Sequence, residues 1–214
     1  MVKSPVKAKP LHFKKFFQNR YFIFRHGHSE VQVEKAAGRT VKDKNCGLTI
    51  EGREEVSASA QKLKKEGVDL IVASDTERAK ETAEIASRII KTKIVFDKRL
   101  REFNTGGLDS QSSEKILDYL CSQDDPTTAI LPNGESLSDV QKRAYRCLAD
   151  LDKKYKNQTL VIISHEFPLM LLEWTLKGME LEDIIEKRCS GKIKKIATGS
   201  FRELSFQNCQ RPGF

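Results

Sequence analysis

The sequence lacks a long apolar segment. No run approaches the ~18 consecutive apolar residues that a membrane-spanning helix requires. The N-terminus also lacks the apolar core of a secretory signal, because His12, Lys14 and Lys15 interrupt its most apolar stretch. It is poor in Ser and Arg, which argues against an organelle transit peptide. We therefore expect a soluble, cytoplasmic protein that does not associate with a membrane.

Paired cysteine motifs are also missing. The chain has five cysteines, an odd number, and no two of them show the C-x-x-C spacing. Cys147 falls on the apolar face of a predicted helix. Such a set favours free thiols in a reducing cytoplasm over a disulfide framework.

Acidic residues are absent from the first twenty positions. Six of the eight excess positive charges lie there, which leaves a net charge of +2 for the remainder; the six residues are Lys3, Lys7, Lys9, Lys14, Lys15 and Arg20. A protein that binds nucleic acid is expected to have a basic face on its folded body. We therefore predict no nucleic-acid partner. Residues 1–18 are predicted to form a flexible basic extension, for which a solvated tail is favoured over an electrostatic anchor.

What the sequence does contain is an alternation of buried strands and amphipathic helices. Continuous apolar runs, each short enough for a strand, occur at residues 21–24, 69–73, 94–96 and 159–163. Helical stripes separate them, for example Val56, Ala60 and Leu63 after the N-cap candidate Thr49. This pattern predicts a three-layer α/β/α sandwich around a mostly parallel sheet. The 214 residues suit a single domain, assigned to residues 19–206, with residues 207–214 as a tail.

Several segments outside this alternation carry weaker signals. Residues 31–47 are expected to form a loop with at most one short helical turn. A helix is predicted over residues 113–121 and another from about Pro168 to Leu176, because Pro suits a helix start. Residues 193–206 alternate around Gly199 and predict a terminal hairpin.

Charged side chains follow each of the predicted strands. Arg25 and His26 follow the first strand, Arg78 lies in the helical turn after the second, and Glu102 and His165 follow the third and fourth. Connections of the β-α-β type place the carboxyl ends of strands at one edge of a sheet, where ligands bind. We therefore expect these five side chains to lie close together, although they come from four strand ends that are far apart in sequence.

This set of residue types suits phosphoryl transfer. Two arginines can hold a phosphate through charge-assisted hydrogen bonds, and they keep a nearby imidazole neutral and nucleophilic. His26 would then attack phosphorus, with Gly27 permitting a close approach of the backbone. His165 would donate a hydrogen bond to the phosphoryl group, and Glu102 would protonate the departing oxygen. Because Arg and His supply the positive charge, neither a metal nor a cofactor is expected.

Two alternatives remain open at this point. His26 and His28 form an H-x-H pair that, with His165, has the residue types of a zinc site, although two flanking arginines argue against a bound cation. The identity of the acid is less specific, because three other glutamates could lie near the same edge: Glu51, Glu54 and Glu135.

The stretch from Arg25 to Glu30, RHGHSE, resembles the R-H-G-x-[ST] signature of the histidine phosphatase superfamily, in its phosphoglycerate mutase-like branch. The resemblance extends from about residue 20 to 206. Residues 48–52 are similar to that branch's L-T-x-x-G, residues 74–83 to S-x-x-x-R-A-x-x-T-A, residues 100–102 to L-x-E, residues 133–136 to G-G-E-S, and residues 164–165 to the second S-H.

The resemblance implies roles for seven residues. His26 would be the phosphorylated nucleophile and Glu102 the proton donor, and the phosphate pocket would be completed by Arg25, Arg78 and His165, with Ser29 and Gln32 also lining it. Gln32 stands where this branch usually has asparagine, His28 where it often has glutamate or glutamine, and residues 166–168 replace a common glycine-rich run. The first difference bears on the role of Gln32 itself, and the other two bear on substrate choice.

The resemblance implies a metal-independent phosphomonoesterase that acts through a phosphohistidine on a small phosphorylated metabolite. The alternative is a cofactor-dependent phosphoglycerate mutase. Mutases of this branch tend to have a longer insertion after L-x-E, whereas about thirty residues separate Glu102 from Asn133 here. A non-catalytic phosphate-binding protein is a third reading, which the complete set of Arg, His and Glu residues disfavours.

Overall fold

A five-stranded sheet forms the centre of the molecule. The computed structural model describes residues 17–36, 46–108, 111, 113–130 and 133–206, so most of the predicted basic extension and all of the predicted tail lie outside it. The strands are β1 (Arg20–Arg25), β2 (Leu70–Ala73), β3 (Lys93–Phe96), β4 (Thr159–Ser164) and β5 (Phe201–Glu203). Their order is β3-β2-β4-β1-β5, in which the first four are parallel and β5 is antiparallel to β1.

Seven α-helices connect and cover the strands: α1 (Glu30–Ala36), α2 (Ile50–Leu63), α3 (Glu77–Ile90), α4 (Ser113–Cys121), α5 (Leu137–Lys154), α6 (Glu166–Leu176) and α7 (Leu181–Cys189) within the described residues. Two of them begin at side-chain caps. The Thr49 hydroxyl accepts the backbone N–H of Gly52 at 3.1 Å, as predicted for the start of α2. Ser136 and Asp139 form a reciprocal capping box at the start of α5.

Separate apolar cores cover the two faces of the sheet. On one face, alternate strand residues such as Ile23 and Ile162 pack against α5 and α6. On the other face, Phe24 and Ile163 pack against α2 and α3. Because strand side chains alternate between faces, both cores draw on the same strands. The predicted α/β/α sandwich with a mostly parallel sheet is therefore confirmed.

A third apolar cluster lies beside the sheet, between α4, α5, α6 and α7. Its members include Phe103, Ile116 and Phe167. Near it, a disulfide joins Cys121 at the end of α4 to Cys189 at the end of α7. The expectation that all five cysteines are free thiols was therefore wrong for this pair. The two residues are 68 positions apart, and their proximity comes from the packing of the two helices, which no cysteine spacing reveals.

Three local predictions need correction. Residues 193–206 do not form a hairpin: the strand within them, β5, pairs with β1, and the Phe201 ring lies 6.0 Å from the Phe22 ring. The helix expected from about Pro168 begins at Glu166, because proline is tolerated anywhere in a first helical turn. The segment that starts at Glu30 forms the seven-residue α1, whereas at most one short helical turn was expected within residues 31–47.

None of the helices in the described segments combines the length and the apolar character that crossing a bilayer requires.

Candidate active site

A pocket of about 620 Å³ opens at the carboxyl ends of the parallel strands. Six of the seven predicted site residues contribute to its lining: Arg25, His26, Ser29, Gln32, Arg78 and Glu102. The seventh, His165, lies directly behind His26, with 5.0 Å between the ring centroids. The sheet therefore brings together all five side chains that were expected to converge from four strand ends.

His26 is buried and presents one ring nitrogen to the pocket side. It follows the last residue of β1, and its backbone N–H is bonded to Ser164 O at 3.0 Å. Its Nδ1 lies 2.8 Å from Gly27 O, a contact that requires Nδ1 to carry the proton. Its Nε2 is therefore the lone-pair nitrogen, and it accepts a hydrogen bond from Arg78 Nε at 3.2 Å. Burial, followed by the charges of Arg78 and Arg25, holds the pKa of His26 well below its usual value.

The two arginines are held in different ways. Arg78 is buried in the first turn of α3, on the side facing His26. Arg25 ends β1; its Nη1 donates to Ile196 O, and its Nη2 lies 3.3 Å from Glu166 Oε2. The buried Nε of Arg25 has no hydrogen-bond partner. This nitrogen is therefore a hydrogen-bond donor that remains available to an oxyanion.

His165 is fully buried at the N-cap position of α6. Its Nε2 lies 2.9 Å from Ser74 Oγ and 3.2 Å from Thr76 Oγ1, while its buried Nδ1 has no hydrogen-bond partner. Burial, then the charge of Arg78 and the neighbouring His26, keeps the pKa of His165 well below its usual value. If a hydroxyl donates to Nε2, the neutral ring carries its proton on Nδ1 and has a hydrogen bond to offer.

Glu102 sits at the N-terminus of α6, opposite the end of β4. Its carboxylate accepts the backbone N–H groups of Phe103 at 2.8 Å, Glu166 at 3.0 Å and Phe167 at 3.3 Å. Burial raises the pKa of Glu102, and the negative charge of Glu166 adds to that effect against the opposing hydrogen bond from Phe103. A carboxyl group that keeps its proton above the usual pH range suits a general acid.

The alternative acids are placed differently. Glu135 lines the pocket, but it is ion-paired with Arg143 at 2.8 Å. Glu51 and Glu54 are exposed on α2 and do not belong to the pocket lining. Of the four candidates, Glu102 therefore has the burial and the raised pKa that a proton donor needs.

Ser29 and Gln32 face the same pocket from the start of α1. The Gln32 side-chain oxygen accepts from the Ser29 backbone N–H at 3.0 Å and lies 3.2 Å from the Ser29 hydroxyl. Their mutual hydrogen bonds fix the first turn of the helix. The long side chain of Gln32 reaches back to Ser29, the residue before the helix.

His28 and Gly27 are not placed as the sequence suggested. The His28 ring contacts Thr49 Oγ1 at 3.2 Å, toward the start of α2, so His26 and His28 do not share the pocket. The missing side chain of Gly27 faces α2 as well, where an added Cβ would lie 2.5 Å from Gly52 O. The close approach that requires glycine here is therefore between backbone segments. Within the described residues, no three His, Cys, Asp or Glu side chains are grouped as metal ligands.

Sequence reasoning missed several residues of this site. Thr76 lines the pocket and, with Ser74, contacts His165. Phe103 and Phe167 form an apolar wall, with their ring centroids 5.4 Å apart. Glu166 was noted as unusual after His165, but no pattern in the sequence indicates its contact with Arg25. The motif at residues 74–83 contained the signal for Ser74 and Thr76, since both precede Arg78 at a strand end.

Comparisons with known proteins agree with this geometry. A family model described as the histidine phosphatase superfamily (branch 1) matches residues 21–208. The chain is 29% identical over 163 residues to a probable phosphoglycerate mutase GpmB of Erwinia tasmaniensis, with 74% of each chain covered. It is 26% identical over 167 residues to the protein of the same name from Escherichia coli O1:K1, again with 74% of each covered.

Solved structures share the fold. A mycobacterial glucosyl-3-phosphoglycerate phosphatase in complex with VO3 is similar with a TM-score of 0.71 and 23% identity, covering 87% of this chain and 90% of that chain. A putative alpha-ribazole-5′-P phosphatase from Escherichia coli K-12 is similar with a TM-score of 0.68 and 22% identity, covering 91% and 98%.

Proposed function

Because the chain belongs to branch 1 of the histidine phosphatase superfamily, we propose that it is a phosphomonoesterase that works through a phosphohistidine at His26. The substrate is a small phosphorylated metabolite, and the reaction needs no metal ion or cofactor. The observation that carries the proposal is the state of His26: a buried, neutral imidazole with its proton fixed on Nδ1 and its Nε2 lone pair directed at Arg78 Nε.

Substrate binding would use donors that the folded chain already orients. A phosphate oxygen takes over the Arg78 N–H that now bonds to His26 Nε2, which frees that lone pair for attack. Other oxygens accept from Arg25 and from Nδ1 of His165, both of which have buried nitrogens without a partner. Neutralisation of the equatorial oxygens by such fixed donors is the main source of catalysis in phosphoryl transfer. These side chains supply the charge that a metal ion provides in other enzymes.

The first chemical step forms a bond between His26 Nε2 and phosphorus while the bond from phosphorus to the leaving oxygen breaks. Glu102 gives its proton to that oxygen, so an alcohol departs and the carboxylate remains. In the second step, Glu102 takes a proton from a water molecule, whose oxygen attacks phosphorus. The P–N bond then breaks, inorganic phosphate leaves, and His26 and Glu102 return to their starting states.

The pocket favours a leaving group larger than a three-carbon acid. Its volume of about 620 Å³ lies within the range of roughly 300–1,000 Å³ that is common for ligand pockets. Part of its wall is apolar, built from Val31, Phe103, Ile116 and Phe167. A phosphorylated metabolite with an apolar or aromatic portion would bury that portion against this wall.

Phosphoglycerate mutase activity is the second candidate, supported by the names of the curated relatives. A mutase must also hold a bisphosphate, which requires further cations near the first phosphate site. Two arginines of the pocket wall are already ion-paired: Arg101 with Asp75 at 2.6 Å and Arg143 with Glu135 at 2.8 Å. Lys80 and Lys98 also line the pocket and are cations of that kind, so the preference for hydrolysis rests on the short segment between Glu102 and Asn133.

The test is a hydrolysis assay in excess chelator, first on an aryl phosphate and then on 3-phosphoglycerate with 2,3-bisphosphoglycerate as primer. We expect chelator-resistant hydrolysis and, in single-turnover samples quenched with base, a phosphorylated protein that intact-mass spectrometry detects. Both signals are expected to disappear in His26→Ala. Because the His28 ring points toward α2, His28→Ala is the matched control and is expected to keep both.

Each other outcome has a definite meaning. Primer-dependent isomerisation that is faster than hydrolysis would establish the mutase. Activity that disappears in chelator would contradict the metal-independent mechanism. Hydrolysis that persists in His26→Ala would rule out a phosphohistidine at this residue.

A further inference from the structure

Glu166 is a buried carboxylate surrounded by three cations. It is the first residue of α6, and its side chain is 2% exposed. Its Oε1 lies 2.8 Å from Arg188 Nη2, and its Oε2 lies 3.3 Å from Arg25 Nη2 and 3.5 Å from Lys195 Nζ. A carboxylate this deeply buried is destabilising unless it is paired. The three cations supply the opposite charge, and only Oε1 also accepts a hydrogen bond, from Arg188.

One of the three cations belongs to the phosphate pocket. Arg25 lines the pocket, whereas Arg188 and Lys195 lie outside it. The Arg25 guanidinium makes two contacts: Nη1 donates a hydrogen bond to Ile196 O, and Nη2 forms an ion pair with Glu166 Oε2, an oxygen that has no hydrogen-bond partner. Because the guanidinium is planar, two fixed points define the direction of its remaining N–H groups. Glu166 therefore determines where Arg25 can donate.

Glu166 also acts on Glu102. Its backbone N–H donates to Glu102 Oε2 at 3.0 Å, so the two residues meet at the start of α6. The other charged groups that face Glu102 are Arg25 from β1, Arg78 from α3 and, on α5, Arg143, whose Nη2 donates to Glu102 O at 2.9 Å. Arg25 and Arg78 favour the ionised form of Glu102, and the charge of Glu166 opposes it. Arg143 is paired with Glu135, which reduces its effect.

We propose that Glu166 is a positioning residue: it aims Arg25 at the phosphoryl group and places its own charge beside Glu102, the acid of the reaction. This inference rests on the proposed function, since it assigns Glu166 an effect on the phosphate donor and on the acid of that reaction. Glu166 touches neither the substrate nor the reacting atoms, and it acts through these two neighbours.

The decisive variant is Glu166→Gln, which removes the charge and keeps the size and an acceptor for Arg188. The measurement is the pH dependence of kcat on an alkyl phosphate, whose poor leaving group requires the Glu102 proton. Activity is lost as pH rises through the pKa of Glu102. In Glu166→Gln this high-pH limb is expected to move to lower pH by ~1 unit, because the charge that opposes ionisation of Glu102 is gone.

A second variant separates the two effects. Glu166→Asp keeps the charge and shortens the side chain by one methylene group. The high-pH limb is expected to stay in place while KM rises roughly tenfold, because Arg25 loses its fixed direction. If Glu166→Gln fails to fold, as judged by circular dichroism, Glu166→Asp becomes the deciding variant. A high-pH limb of kcat at the wild-type position together with a raised KM supports the proposal, and an unchanged KM overturns it.

Glu173→Gln is the matched control. Glu173 is another buried glutamate of α6, with a side chain 5% exposed, but its ion pairs are with Lys177 at 2.9 Å and with Arg202. This variant is expected to lower stability without moving the limb. If Glu166→Gln behaves in the same way, with a lower kcat at every pH and an unmoved limb, the role of Glu166 is merely structural and the proposal is overturned.

A direct titration distinguishes this inference from the proposed function. If the wild-type chain hydrolyses no phosphomonoester, the proposed function fails. The Glu102 carboxyl carbon can still be followed by ¹³C NMR in glutamate-labelled protein, with Glu102→Gln for assignment. A lower titration midpoint for Glu102 in Glu166→Gln supports the coupling between the two carboxylates, and an unchanged midpoint refutes it.

Discussion

At the scale of single residues, the site depends on histidines that stay neutral. Burial and the neighbouring arginines hold the pKa values of His26 and His165 well below the usual value of a histidine. A neutral His26 keeps its Nε2 lone pair at pH values where an exposed imidazole is already protonated. In the proposed mechanism, the arginines that would bind phosphate also keep the nucleophile neutral, so one arrangement would serve both needs.

The same surroundings predict how stability depends on pH. In the unfolded chain both histidines bind protons below about pH 6.5, whereas in the folded chain they remain neutral. The unfolded state therefore binds more protons, and the free energy of unfolding should fall as pH is lowered from 7.5 to 5.5. The slope approaches ~1.4 kcal/mol per pH unit for each histidine. Urea unfolding at a series of pH values measures it.

Replacement of one of these histidines tests the assignment. His165→Asn is expected to reduce the slope by the share of one histidine. Gln141→Ala, which changes a buried residue without a titrating group, should lower stability at every pH and leave the slope unchanged. A slope that is the same in His165→Asn and in the wild type would mean that His165 titrates normally in the folded state.

At the scale of secondary-structure elements, the loop that carries His26 is held in place by the first turn of α2. Gly52 lies against the backbone of His28, and an added Cβ would lie 2.0 Å from His28 O. The Thr49 N–H donates to the same oxygen at 3.0 Å. This close approach packs Gly52 against the loop after β1. Helix α2 thus fixes the position of His26, the proposed nucleophile.

Gly52→Ala should therefore affect both stability and activity. Its methyl group meets backbone atoms that cannot rotate away, so the loop or the helix must shift. We expect a loss of about 3 kcal/mol in the free energy of unfolding and, because His26 moves with the loop, a roughly 100-fold lower kcat. Chemical denaturation and aryl phosphate hydrolysis measure the two effects.

Gly107→Ala is the control for that change, because nothing lies within 4 Å of the position of its added Cβ. It should alter stability by less than about 0.5 kcal/mol. Equal behaviour of the two variants would show that α2 and the His26 loop are not packed as tightly as described.

At the scale of the whole molecule, the disulfide between Cys121 and Cys189 links α4 to α7 across 68 positions of the chain. The closed loop contains Glu135, α5, β4 and α6, and therefore His165 and Glu166 as well. In the chain-entropy model, a cross-link of this length restricts the unfolded chain and stabilises the fold by ~4 kcal/mol. The bond also holds α4, which contributes Ile116 to the pocket wall.

Reduction should consequently destabilise the protein. We expect a thiol reductant to lower the free energy of unfolding by ~2–4 kcal/mol, measured by urea unfolding with and without reductant. The Cys121→Ser, Cys189→Ser double variant should match the reduced wild type and should not respond to reductant. Identical curves for the untreated wild type and the double variant would mean that the bond adds nothing to stability.

Four of the five strands and most of the candidate site could be predicted from the amino-acid sequence. Apolar runs that end in charged residues predicted β1 to β4, and parallel strands place their carboxyl ends at one edge, so Arg25, His26 and His165 had to meet there. Local chemistry also located the helix starts, for example at Thr49, because a capping hydroxyl acts within three residues. Such features depend on neighbours in the chain and on the general rules of β-α-β connection.

Contacts between residues far apart in sequence could not be predicted in this way and are seen only in the folded chain. The pairing of β5 with β1, the Cys121–Cys189 bond and the ion pair of Glu166 with Arg25 each join segments more than 60 residues apart. Periodicity and spacing describe what a segment buries, but they do not say which partner it meets. The orientation of His28, toward α2 and away from the pocket, also depends on such a contact. The packing of Gly27 against Gly52 sets the path of the loop that carries His28.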